Sequence, residues 1–288
     1  MKALAEFVMR GRLQATAVAM TGVAIEFFFW VSGAVIALVT MRKGPQHGLM
    51  LLMWSMLPAA VLAWLKFPGA LLCLLASFLM ALVLRATQQW STALLAGAAC
   101  SLASAIVLQF AFPGYVESIL ELFRTVFEQL LKGSPSNKPL EEAIAGVTTQ
   151  QVAGSISAGA GLFAVVAVVL GRYWQASLYN PGGFGEEFRS LRFRKPMAIG
   201  LVLLGLLLLS SEHYRLWAWM CLLPLLVAGI GLVHWLVNRY SGSGGLLVGF
   251  YFLLLTIAPV TQLVCALALA DSFINIRQRQ SKNSEPRD

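Results

Sequence analysis

The chain has 288 residues, of which 58% are hydrophobic and only 12% charged, with a mean hydropathy of +0.75. Soluble domains carry about 25% charged residues, so an ordinary soluble fold is excluded. The net charge of +8 comes from 21 Lys and Arg scattered through short connections, a pattern suited to anionic lipid headgroups and not to a nucleic-acid surface.

Apolar runs approaching the roughly 20 residues that cross a hydrocarbon core recur along the chain. They predict an all-α fold: a polytopic transmembrane bundle of about eight spans with one interfacial amphipathic helix. Residues 1–270 form one integral membrane domain, and residues 271–288 a polar tail, disordered past about Arg279. Residues 1–12 read as a short amphipathic lead. Lys2, Arg10 and Arg12 before an apolar run imitate a signal peptide, but the run is too long and the small-residue pattern at Ala15 to Ala17 precedes it, so an uncleaved first span is expected.

That first span covers Leu13 to Met41 and carries Glu26 near its middle. A charged acid at mid-membrane costs at least a few kcal/mol and faces a polar cavity or an internal partner. Gln14, Thr21, Gln109 and His234 with Asn238 are its candidate partners, and Glu26, Gln109, His234 and Asn238 form the candidate ligand-binding set. A structural hydrogen bond, a ligand or proton site, and catalysis all stay open for Glu26. The second run, Leu49 to Leu65, contains Pro58 and is broken by Lys66, Phe67, Pro68 and Gly69 before a third from Ala70 to Leu84, so the two form a tight hairpin.

The fourth span, Thr92 to Phe112, repeats Ala93, Gly97, Ser101 and Ala105 every four residues, a small-residue stripe that lets another helix approach. Pro113 and Gly114 stop it. Residues 113–150 then make one long extramembrane excursion: an amphipathic segment, Tyr115 to Lys132, with Val116, Leu120, Phe123 and Phe127 on one face and Glu117, Glu121, Arg124 and Glu128 on the other, a polar linker from Gly133 to Pro139, and the start of the fifth helix within Leu140 to Gln151. The fifth span runs to about Ala176, and its Gly154, Ser157, Ala158 and Gly161 place it at the centre of the bundle.

Residues 172–195 are the one long polar passage between apolar blocks. Asn180, Pro181, Gly182 and Gly183 predict a sharp reversal, and the aromatic and basic residues around it belong where a membrane meets water. This loop is an interfacial anchor or a docking loop. A sixth run follows from Met197 to Leu209, a polar break at Ser210 to Arg215, a seventh run from Leu216 to Val237, and an eighth from Gly244 to Leu269 opening with the close-approach pair Gly245 and Gly249. Eight spans put both ends on one side, and cytoplasmic termini give twelve Lys and Arg inside against nine outside.

Cys73, Cys100, Cys221 and Cys265 lie inside apolar runs and read as packing residues. His47, His213 and His234 are too separated to suggest metal ligands, and no nucleophile, phosphate-loop or cofactor motif is present, so no enzyme, metal or cofactor is expected. The run W-Q-A-S-L-Y-N-P-G-G-F-G-E-E-F, with Trp174, Tyr179, Asn180, Pro181, Gly182, Gly183, Phe184, Glu187 and Phe188 as its motif residues, resembles the YybS-like family of bacterial multi-pass membrane proteins. That family is distantly similar to the substrate-binding subunits of energy-coupling-factor vitamin transporters. The resemblance implies a helical bundle in the bacterial cytoplasmic (inner) membrane with a small-molecule pocket, although this chain adds spans and the excursion, and no residue matches a vitamin pocket. Small-molecule binding linked to transport is therefore one expected function, and a scaffold docking another membrane protein through residues 115–132 and 172–195 is the other.

Overall fold

An apolar chain in lipid must pair its own backbone N–H and C=O groups, and helix does this within each segment. The computed structural model describes residues 2–131, 138–240 and 244–278; the side chains of Glu26, Leu131 and residues 138–141, and the tail past residue 278, lie outside the described part. Among the described residues the fold is all-α, with no strand. The helices are α1 (Lys2–Arg10), α2 (Arg12–Ala24), α3 (Phe29–Lys43), α4 (Pro45–Trp64), α5 (Gly69–Thr87), α6 (Trp90–Ala111), α7 (Pro113–Leu131), α8 (Lys138–Ala145), α9 (Thr149–Tyr179), α10 (Gly183–Ser190), α11 (Lys195–Leu209), α12 (Ala218–Tyr240), α13 (Gly244–Thr256) and α14 (Ala258–Ile274).

The expected first span is not one helix. α2 ends at Ala24, Ile25 is extended, and Glu26–Phe28 make a 3₁₀ turn before α3 returns antiparallel to α2. The return is fixed at the far ends of the hairpin: Lys43 Nζ donates to the Met9 carbonyl at 3.1 Å, and the Arg12 guanidinium donates to His47 Nε2 at 3.3 Å. Its physical basis is the small side chains. Ala15, Ala19 and Val23 are buried, and a Cβ at Gly22 would come within 2.4 Å of Ser32 Oγ, so only a glycine lets α3 pack this closely. The backbone of Glu26 thus sits at a hairpin tip and not midway along a spanning helix.

α3, α5 and α9 form the centre. Every residue from Ser32 to Met41 is buried. At Gly171 an added Cβ would meet the Ala34 carbonyl oxygen at 2.8 Å and Ala37 Cβ at 3.0 Å, so α9 crosses α3 almost backbone to backbone. The Ala93, Gly97, Ser101 and Ala105 stripe of α6 is buried as expected, against Met80 of α5 and Gly161 of α9. α9 begins with a capping box, Thr148 Oγ accepting from Gln151 N and Gln151 Oε1 accepting from Thr148 N. Hence α8 is a separate short helix and Leu140 to Gln151 does not run into α9.

Among the described residues, five helices are long and apolar enough to cross a membrane: α4, α5, α6, α9 and α12 with the turn before it. The count is six if α13 and α14, bent by 115° at Ile257, are taken as one span. This corrects the expected eight. The N-terminal pair is a hairpin, the eighth run is broken, and α11 has only 15 residues. The protein is a membrane-embedded, multi-pass helical bundle.

Contacts assign the ends of these helices. One end, called basal here, gathers Met9 with Lys43, and Arg85, which donates to the Thr40 and Met41 carbonyls at the end of α3. It also holds Tyr179, whose ring lies 4.0 Å beneath the Arg42 guanidinium. The distal end holds the α4–α5 turn, α7 and the start of α9: Tyr115 OH donates to the Ala63 carbonyl and Trp217 Nε1 to the Gln150 carbonyl at 2.8 Å. α11 therefore joins the two ends despite its length. α12 and α14 both finish basally, beside residues 188–192.

Candidate functional site

The 172–195 passage folds onto the basal end as a plug. α9 stops at Asn180, Gly182 takes φ +91°, and α10 begins at Gly183, the reversal that Asn180 to Gly183 predicts. Phe184 meets Trp90 and Tyr173 edge-on at 6.3 and 6.0 Å and stacks on Phe188 at 5.7 Å; Phe188 in turn meets His234 at 5.6 Å. Glu187 pairs bidentately with Arg172. Leu191 and Phe193 are buried, and Trp174 is fully enclosed between α9 and the N-terminal helices. Most of the motif's aromatic side chains thus turn inward, while Tyr179 stays half exposed under Arg42.

A buried polar knot ties this plug to α14. Arg192 donates to the Asp271 and Ser272 carbonyls at 2.9 and 3.0 Å, and Arg277 donates to the Leu191 carbonyl at 2.8 Å while its guanidinium lies 3.5 Å from the Asp271 carboxylate. Burial pulls Arg277 below its usual range, Asp271 pushes it back up, and Arg192 lowers it. Helix α14 continues to Ile274, so the folded body extends past the expected boundary at residue 270.

The four candidate ligand residues do not share one place. His234 stands basally, hydrogen-bonded to Tyr251 OH at 2.8 Å, and Asn238 is exposed in the last turns of α12. Gln109 lies near the distal end of α6, its Oε1 buried without a hydrogen-bond partner among the described residues. Glu26 lies at the tip of the α2–α3 hairpin, and its side chain is outside the described part.

Distally, a cavity of about 670 Å³ opens between the α4–α5 turn, α7 and the first half of α9. Its floor is Phe29, Ala70, Ile156, Gly159 and Ala160, its cover is Ile119, Leu122, Phe123, Val126 and Phe127 of α7, and Phe163 stands at its mouth. The apolar face expected for residues 115–132 therefore covers, through Ile119 to Phe127, a hollow in the bundle. Lys66 is the only ionisable residue in the lining among the described residues; it sits at φ +75° with its ammonium 4.8 Å from the Tyr115 ring centroid. Burial raises the Tyr115 pKa, which keeps the hydroxyl protonated as the donor to Ala63. Arg124 steadies the cover from outside, donating to the Ala145 and Val147 carbonyls at 3.1 and 2.9 Å. Residue patterns gave no signal for this cavity, because it arises from where α7 comes to rest.

Comparison of the chain with protein-family models, curated proteins and solved structures finds no match.

Proposed function

We propose that the protein binds a small, largely apolar molecule within the membrane, in the cavity beneath α7, as a ligand-binding or transport-related subunit. The observation that carries this reading is the cavity itself: at about 670 Å³ it falls inside the range of roughly 300–1,000 Å³ typical of ligand sites, and it is walled by apolar side chains with few polar groups. The likeness of Trp174 to Phe188 to the YybS-like family, and through it to vitamin-transporter subunits, supports the same reading. Gly159 supplies the test, since an added Cβ there meets nothing within 4 Å. Gly159→Trp fills the cavity while leaving the helix intact. A fluorescent apolar probe displaced by the native ligand should bind the wild type at least ten-fold more tightly than this variant; equal binding would remove the cavity from the argument.

Charge supports a cytoplasmic basal end in the bacterial inner membrane. With the N-terminal hairpin in place, Lys2, Arg10, Arg12, Arg42, Lys43, Arg85, Arg172, Arg189, Arg192, Arg194, Lys195, Arg239 and Arg277 belong to the basal end, against Lys66, Arg124, Lys138 and Arg215 distally, among the described residues. Cytoplasmic connections carry the excess of Lys and Arg. The second reading, docking of another membrane protein, rests on α13, which has no buried residue and whose Gly249 faces open space. The inward-turned aromatics of the 172–195 passage move that reading away from the loop.

A further inference from the structure

Resting on the cavity as a ligand site, we infer that its occupant is a membrane phospholipid with an anionic headgroup, taken laterally from the distal leaflet and held at its phosphate by Lys66. Three observations lead there. The mouth of the cavity is ringed by exposed apolar side chains, Leu122, Val126 and Phe163 at 45%, 44% and 40% exposure together with Phe67 at 48%, so it opens toward acyl chains and not toward water. The lumen offers Ser155 as its one hydroxyl, which suits a hydrocarbon chain and not a polar metabolite. The lone cation at the rim has no carboxylate partner among the described residues, and its left-handed backbone conformation turns the α4–α5 connection so that Lys66 lines the cavity. A chain-bearing anion satisfies all three, because its tail displaces lipid from the hollow and its phosphate meets the ammonium at the depth where headgroups lie.

The test uses the full chain in nanodiscs of equal parts phosphatidylglycerol and phosphatidylcholine, with bound lipid read by native mass spectrometry. One basic residue near a headgroup gives about a five-fold preference, so retained lipid should be enriched about five-fold in phosphatidylglycerol. Lys66→Asn removes the charge and keeps a residue that tolerates positive φ. It should lose the enrichment with the same total lipid retained, and Lys66→Arg should restore it. No enrichment in the wild type, or enrichment that survives Lys66→Asn while Gly159→Trp strips the lipid, would overturn the headgroup assignment and leave the cavity reading standing. Lipid retained equally by Gly159→Trp would overturn both.

Discussion

Trp174 is fully buried where α9 passes α3 and the N-terminal helices, and its indole N–H has no hydrogen-bond partner among the described residues. The ring therefore contributes through volume and contact and not through polarity. Trp174→Ala should lower unfolding stability in detergent by about 3–5 kcal/mol, the range for deleting a core aromatic, whereas Trp174→Phe should cost much less because no bond to the nitrogen is lost; equal losses would show that the N–H does have a partner. The turn residues Asn180 to Gly183 were legible because their backbone preferences are local. Asp271 was not. Its burial depends on Arg192 and Arg277 arriving from two other segments, and a sequence read in order places an acid after an apolar run in the tail.

Among the elements, small residues decided where helices touch, and the stripe on α6 and the glycines of α9 were readable for that reason. The same signal misleads where no neighbour exists: Gly249 looks like a contact residue and faces open space. The two should separate cleanly by mutation. Gly171→Leu forces α9 away from the α3 backbone and should cost about 1–3 kcal/mol or more, while Gly249→Ala should be neutral or stabilise by up to about 1 kcal/mol through helix propensity; thermal unfolding of the two purified variants measures both. The α2–α3 hairpin escaped the hydropathy pattern because its turn, Ile25 to Phe28, contains neither glycine nor proline, and its one polar residue, Glu26, reads equally well as an acid within a continuous span.

For the whole molecule, that hairpin reverses the side assigned to every later connection up to the end of α12. A continuous first span would put His47 opposite the N-terminus and Lys66 with it; the hairpin does the reverse. Single cysteines at Lys2, Gln46 and Phe112, probed with a membrane-impermeant thiol reagent in intact cells, should label only at Phe112. Labelling at Gln46 with Phe112 protected would restore the continuous span. The composition made a membrane-embedded bundle plain, but the number of crossings depended on one turn marked only by Glu26 and by no glycine or proline, and the charge balance favoured one end only after that turn was placed.

The depth of α2 has one more effect. Thirteen residues rise about 20 Å, and the fifteen of α11 about 22 Å, while the surrounding hydrocarbon is about 30 Å thick. The apolar tip at Phe27 and Phe28 can therefore end within the hydrocarbon, whereas lipids beside α11, which joins the two ends over its shorter length, would have to shorten or tilt to match it. A bilayer thinner than average would fit α11 at least cost, and such patches are where the protein should collect.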